Sequence, residues 1–296
     1  MSVGYVSIIL SEPDIKMKSC ILKNASPEHL STLIEHNLST LDQMLEFNRR
    51  HDIHLFRLSS GFIPFASHPI NKLRWWQKYS KQFLALGDKA KKYKIRLSFH
   101  PGQYTTLSSP NRAIVQKSIK DLQYHARVLD AMGLDSSSKM ILHIGGFYEG
   151  KKESMERFIK NYSKLPQNIK NRLVIENDDK IYTATEVLYI SKRTGAPVVF
   201  DYLHHLLNHE GELDTANILQ QVRKTWHKKD GVQKIHYSQQ AKGKRAGSHS
   251  LSIEVPEFVE FYKTLPQPID VMLEVKDKDL SALKCIAELE KQKIEH

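Results

Sequence analysis

Eight times along the chain, a short run rich in β-branched and aromatic residues gives way to a longer charged segment with helical periodicity. The β-rich runs fall at 4–10, 54–60, 95–100, 139–144, 172–177, 197–202, 234–238 and 270–275. The segments between and after them predict helices over 27–50, 75–93, 112–133, 152–164, 183–194, 212–228, 256–264 and 279–293. Ser26-Pro27-Glu28 and Ser109-Pro110-Asn111 carry helix-opening chemistry, with a capping hydroxyl followed by a proline. Strands that alternate with helices predict a parallel sheet, and eight such units predict its closure into a (β/α)8 TIM barrel. No Pro/Gly/Ser-rich linker separates blocks, so residues 1–296 read as a single α/β domain. An open doubly wound sheet would carry a glycine-rich fingerprint after the first strand, and none is present.

The ends of these strands are unusual. Strand three ends at His100, strand four carries His143, and strand five ends at Glu176 before Asn177-Asp178-Asp179. Strand six ends at Asp201 with His204 three residues on, strand seven carries His236, and strand eight carries Glu274. His68 lies in the loop after strand two and His249 in the loop after strand seven. A lone strand histidine is more often a core or capping residue than a ligand. Six successive strands with a titratable residue at the same end are another matter, because in a barrel those ends meet on one face. Gathering carboxylates and imidazoles there costs several kcal/mol per unpaired charge, a cost that divalent cations offset. Nitrogen and carboxylate donors without thiolates suit zinc or manganese. The number of donors exceeds what one ion needs, so two or three ions are expected, with Glu176, central in strand order, as the bridge.

Charge points to the partner. The net charge is +11, from 44 Lys+Arg against 33 Asp+Glu, which favours a polyanionic partner, nucleic acid or an anionic membrane surface, over a merely solvated basic face. The loop Ala241-Lys-Gly-Lys-Arg-Ala-Gly-Ser-His sets Lys242, Lys244 and Arg245 just before His249, where basic side chains would neutralise a nucleic-acid backbone. Gln103 and Tyr104 follow Pro101-Gly102 directly beyond His100, and an aromatic with a polar neighbour can enter a duplex and stack there. The two cysteines, Cys20 and Cys285, make neither a disulfide framework nor a cysteine-rich zinc site. No basic n-region precedes the first apolar run, and no stretch approaches the roughly 18 apolar residues of a membrane span. A cytoplasmic protein is expected, nucleoid-associated if bacterial, with no membrane partner and no obligate protein partner.

The combination Leu97-Ser98-Phe99-His100-Pro101-Gly102-Gln103-Tyr104, His143-Ile144-Gly145-Gly146, Glu176-Asn177-Asp178-Asp179 and Asp201-Tyr202-Leu203-His204-His205 resembles the UV damage endonuclease family. The likeness runs from Gly4-Tyr5 to Met272-Leu273-Glu274-Val275-Lys276, nearly the whole chain. It implies a TIM-barrel DNA-repair endonuclease acting on double-stranded DNA that contains UV lesions. Such an enzyme nicks the phosphodiester immediately 5′ to cyclobutane pyrimidine dimers and 6-4 photoproducts, leaving a 3′-hydroxyl and a 5′-phosphate. Mn²⁺ is the metal the resemblance implies, with Zn²⁺ and Mg²⁺ as alternatives. By the same likeness His68, His100, His143 and Glu176 would surround one ion, and Asp201, His204, His236, His249 and Glu274 would complete the others. Glu176, Lys234 and His68 would carry catalysis, and Lys234 matches a lysine that relatives can carry carboxylated. Gln103 and Tyr104 match a pair that probes the lesion, and Tyr5 matches an aromatic near the damaged strand. The stretch Val6-Ser7-Ile8-Ile9 departs from the family in lacking a polar amide, so no asparagine contact is carried over there.

Three other readings use the same features. An abasic-site endonuclease would use a similar cluster on the same fold, and comparison of abasic with UV-lesion duplexes separates the two. A metal-dependent sugar isomerase or epimerase leaves the +11 charge and the Lys-Gly-Lys-Arg loop without a role. A non-catalytic DNA-binding module leaves the strand-end donors unexplained.

Overall fold

The structure, a computed structural model, describes residues 2–266 and 268–294. Eight parallel strands, each hydrogen-bonded to the next, close into a barrel in sequence order, with β1 paired to both β2 and β8. The strands are β1 (Val3–Val6), β2 (Leu55–Leu58), β3 (Arg96–Phe99), β4 (Lys139–His143), β5 (Leu173–Glu176), β6 (Val198–Asp201), β7 (Gln233–Tyr237) and β8 (Ile269–Leu273). Around them lie α1 (Pro27–Arg50), α2 (Trp75–Lys78), α3 (Ser80–Lys92), α4 (Arg112–Ala131), α5 (Lys151–Ser163) and α6 (Gln167–Lys170). The ring continues with α7 (Ala184–Thr194), α8 (Tyr202–Leu207), α9 (Thr215–Arg223), α10 (Val255–Lys263) and α11 (Asp279–Lys291). The closed eight-stranded barrel expected from the alternation of runs is the observed one.

Local chemistry sets the boundaries. Ser26 accepts a hydrogen bond from the His29 amide and Pro27 opens α1. Thr183 and Glu186 form a reciprocal capping box at α7, which Gly195 ends in the left-handed conformation. The first strand is shorter than its apolar run, because Ser7 turns to φ 64° and the Ile8 amide folds back onto the Val6 carbonyl at 2.8 Å. The helix expected over 75–93 is broken at Tyr79, whose hydroxyl reaches Ser31 and Glu35 on α1. Two short helices, α6 and α8, lie in stretches whose sequence predicts connections.

Apolar packing sits outside the barrel. Helices turn apolar stripes such as Ile34, Leu38, Leu41 and Leu45 of α1 onto strand residues such as Phe56, Leu97 and Ile175, all fully or nearly fully buried. Each such aliphatic side chain contributes about 1.5–3 kcal/mol by leaving water. The barrel axis is different. Arg57 on β2 bonds Glu274 just beyond β8 and His236 on β7, so these side chains cross the lumen. Nearer the N-terminal ends, Arg96 of β3 reaches Asp270 of β8 at 3.0 Å, and Lys139 of β4 pairs with Asp230. The barrel is thus filled in part by charged side chains that satisfy one another across it.

Candidate metal centre

Parallel register brings the strand-end residues together. His143, the last residue of β4, stands beside Glu176, the last of β5, and Asp201, the last of β6, stands beside His236 of β7. His100 and Glu274 follow β3 and β8 by one residue. Two groups result, each with its donor atoms within 4.8 Å of one another: His100, His143 and Glu176, and Glu176, Asp201, His236 and Glu274. Glu176 belongs to both. Its carboxylate lies 3.0 Å from His100 Nε2 and 3.4 Å from His143 Nε2, with its other oxygen against His236 Nδ1. His236 Nδ1 also lies 3.1 Å from Glu274, and the Arg57 guanidinium touches Glu274 at 2.6 Å and His236 Nε2 at 2.6 Å.

Asp201 is held from behind. Asn177 accepts from its amide at 2.9 Å and donates to its carbonyl at 3.0 Å. One carboxylate oxygen caps α8 through the His204 amide at 2.8 Å, and the other is buried without a hydrogen-bond partner. His204 Nδ1 meets the Asn177 carbonyl at 3.0 Å, leaving Nε2 for the cluster, with its ring 5.9 Å from that of His143 and 6.2 Å from that of His249. His249 Nδ1 is 3.9 Å from Glu274, and its backbone is fixed by a bridge to Gln240.

The electrostatics suit a cation. Burial alone would raise Glu176, but His236, His143 and His100 hold it well below the usual carboxylate range. Glu274 is likewise held down against its burial, chiefly by Arg57 and then His236. Asp201, with burial outweighing its pairing with His204, is pushed up to about 7. Burial lowers His236 to about 4 and also lowers His143 and His249, so these imidazoles are neutral at neutral pH. The donor set is entirely nitrogen and oxygen, three carboxylates crowd together, and the buried Asp201 oxygen has no partner. These features fit hard or borderline divalent cations, which would satisfy all of them at once.

The remaining expected residues are spread around this centre. Gln103 and Tyr104 are the central residues of a turn closed by the Thr105 amide on the Gly102 carbonyl at 2.9 Å. Tyr104 is 85% exposed, and neither side chain makes a hydrogen bond. Gln103 lines a 370 Å³ cavity together with His143, His204, Asp178 and Lys180, so the turn overhangs the centre. Gly145 permits this closeness: at φ 109°, any Cβ there would lie 2.0 Å from Thr106 Oγ1. Lys242, Lys244 and Arg245 are exposed on a loop whose carbonyls are gathered by the Gln240 amide, and among the described residues none of the three has an ion-pair partner. Lys234 is fully buried on the same face of β7 as His236; its Nζ has no hydrogen-bond partner, and burial with Arg96 nearby holds its pKa well below the lysine range.

Two residues stand apart from their expected company. His68 is exposed on the loop after β2, where its Nδ1 accepts from the Ile70 amide at 3.1 Å, and it belongs to neither donor group. Tyr5, expected near a damaged strand, is wholly buried, because β1 alternation turns it outward onto Phe47 and Phe56 and its hydroxyl donates to Asn48 at 2.9 Å. Arg57 and Asn177 escaped the sequence reading. An arginine inside Leu55-Phe56-Arg57-Leu58 was the available signal, since a charge within a buried strand requires an acidic partner.

The fold and the site define a class: parallel barrels with a histidine–carboxylate centre at the C-terminal mouth. A model of the UV-endonuclease UvdE family matches residues 3–296, and the chain belongs to that family. It is 40% identical over 291 residues to a UV DNA damage endonuclease of Clostridium perfringens, covering 98% of this chain and 71% of that protein. It is 35% identical over 274 residues to the Bacillus pumilus UV DNA damage endonuclease, covering 92% and 86%. The crystal structure of SacUVDE superimposes with a TM-score of 0.94 at 42% identity, over 99% of both chains. Endonuclease IV from Thermus thermophilus, at 14% identity and a TM-score of 0.59 over 98% and 100%, shares the fold.

Proposed function

We propose that this protein is a metal-dependent endodeoxyribonuclease that nicks double-stranded DNA immediately 5′ to cyclobutane dimers and 6-4 photoproducts, leaving a 3′-hydroxyl and a 5′-phosphate. The observation that carries the reading is the shared cavity in which the Gln103 turn overhangs His143 of the donor cluster and His204 beside it. A probe for a distorted duplex and a centre for phosphodiester chemistry then lie one beside the other. Family membership supplies the substrate class.

His100, His143 and Glu176 would hold one divalent ion, and Glu176, Asp201, His236 and Glu274 a second; His204 and His249 stand where a third could be completed. The resemblance also assigns His68 to the first ion, and manganese is the metal expected. When bound, the ions supply Lewis acidity toward the phosphoryl oxygens and ease deprotonation of an attacking water. The chain's own part is positional. Asn177 fixes Asp201, Arg57 fixes Glu274 and His236, and Lys180 lines the cavity as a cation for the phosphate. Gln103 and Tyr104 would fill the space left by an extruded dipyrimidine, which costs less to extrude than intact stacked bases. Burial disfavours the Lys234 ammonium and so favours the amine, the form that reacts with carbon dioxide, in keeping with the carboxylated lysine matched in relatives. The basic loop at 242–245 would lie along the DNA backbone.

No helix among the described residues is long and apolar enough to cross a membrane. The proposed activity belongs with a single barrel working in the cytoplasm on chromosomal DNA, without a protein partner. The test is incision mapping on an end-labelled duplex carrying one defined photoproduct, with Mn²⁺ present. A single lesion-dependent cut 5′ to the dimer is expected. Equal cutting of an undamaged duplex, or cutting only at an abasic site, overturns the reading.

A further inference from the structure

Two mouth loops are tied to α4 by a short run of its residues. The loop after β2 hangs from the Tyr124 hydroxyl through the Ile63 amide at 3.0 Å and from Asp121 Oδ1 through Ser67 Oγ at 3.0 Å. The loop after β3 hangs from the Ser118 hydroxyl through the Thr106 amide at 2.9 Å and from Asp121 Oδ2 through Thr105 Oγ1 at 2.8 Å. One carboxylate therefore accepts from both loops, one oxygen to each. Thr105 closes the turn that displays Gln103 and Tyr104, and Ser67 immediately precedes His68. No lysine or arginine pairs with Asp121 among the described residues; His125 is its nearest cation-capable neighbour, at 3.7 Å. Its side chain is 24% exposed, at the wall of a 670 Å³ cavity that Ser67, Thr105 and Tyr104 also line. Because Gln103 and Tyr104 make no hydrogen bonds of their own, the aim of the turn is set by what holds Thr105 and Thr106.

We propose that Asp121 is a positioning residue: by bracing Thr105 and Ser67 together, its carboxylate sets both the lesion-probing turn and the loop that carries His68. A surface carboxylate with a merely local role would bond within its own helix or to a solvent-facing cation. Asp121 instead spends both oxygens on hydroxyls from two different strand-end loops. This inference rests on the proposed lesion-probing role of Gln103 and Tyr104 and on His68 as a ligand.

The experiment compares Asp121→Ala, Asp121→Asn, Thr105→Val and Ser67→Ala in the full chain. Amide hydrogen exchange is followed over 62–71 and 101–107, Mn²⁺ affinity by calorimetry, and metal-free binding to a thymine-dimer duplex and its undamaged twin. Asp121→Ala should speed exchange in both segments and lower the lesion-over-intact binding ratio about tenfold, the factor one charge-assisted hydrogen bond is worth. Thr105→Val should affect only 101–107 and the binding ratio. Ser67→Ala should affect only 62–71 and Mn²⁺ affinity. Asp121→Asn, which keeps one oxygen acceptor and a donor for the other hydroxyl, should recover part of both effects. Unchanged exchange in both segments of Asp121→Ala overturns the proposal, and so does a uniform rise across the barrel with lesion and intact binding falling equally. Should Asp121→Ala not fold, the two hydroxyl variants decide: effects that fail to segregate by loop overturn it. If the wild type binds both duplexes equally, the lesion-probing reading itself fails, while exchange and Mn²⁺ affinity still test the brace.

Discussion

Replacing Gln103 and Tyr104 together by alanine separates a DNA-probing turn from a structural one. Tyr104 is 85% exposed, Gln103 is exposed, and neither side chain has a hydrogen-bond partner. Truncation should therefore alter stability by no more than about 0.5 kcal/mol, which for a chain of this size moves Tm by less than ~2 °C. Neither residue is in a donor group, so bound metal should stay at the wild-type level. Loss at the DNA is expected to be far larger. Stacking of one base on an aromatic is worth about 1–3 kcal/mol, so kcat/KM on a lesion duplex should fall about 5- to 150-fold from the tyrosine alone. The assay is single-lesion incision on an end-labelled duplex, read beside metal content by mass spectrometry and a thermal melt. A Tm drop of several degrees or lost metal would make the turn a structural element, and undiminished incision would remove it from lesion recognition.

Other outcomes follow from the same geometry. Glu176→Gln should empty both donor groups, because both contain Glu176, whereas Glu274→Gln should leave the His100–His143–Glu176 group able to bind; equal metal stoichiometry in the two variants refutes a shared ligand. Substituting Lys242, Lys244 and Arg245 by alanine should flatten the salt dependence of DNA binding by up to about 2.7 in log–log slope while sparing lesion preference; an unchanged slope removes the loop from the interface. Lys139 is buried against Asp230, and burial, only partly offset by that carboxylate, lowers its pKa to about 8. Between pH 8 and the unfolded lysine value of about 10.5, the folded state has released a proton that the unfolded chain keeps, so this group adds stability as pH rises, about 3 kcal/mol in all. The wild type minus Lys139→Met difference in denaturation free energy should climb across that window, and a falling difference refutes the assignment.

The barrel and the gathering of donors could be read from the chain because both rest on short periodic patterns. Eight alternations fixed the topology, and parallel strands in register necessarily carry residues such as His143 and Glu176 to the same rim. What escaped depends on pairs distant in sequence. Arg57 meets Glu274 across 217 residues, and nothing local to either announces the other. Asn177 was visible only as part of a polar run, because its function, fixing both the amide and carbonyl of Asp201, exists only once β5 and β6 are neighbours. Tyr5 differs. The resemblance matches it to an aromatic near a damaged strand, whereas strand alternation turns its side chain into the annulus between sheet and helices. The breaks at Tyr79 and Ser7 follow from tertiary hydrogen bonding and backbone reversal, which outweigh helical or strand propensity.

The charged lumen has an evolutionary corollary. A barrel whose axis holds Arg57, Arg96, Lys139 and Lys234 gives up part of the apolar filling at its centre, so more of its cohesion comes from the ring outside the strands. Aliphatic exchanges of similar volume in that ring cost little and leave the mouth untouched. An apolar replacement along the axis would improve packing and dismantle the centre in the same step, since Arg57 is bonded to two of its donors. Thermostable variants should therefore be sought among residues such as Leu38, Ile175 and Val187, and selection for stability alone would erode the column of charge beneath the mouth.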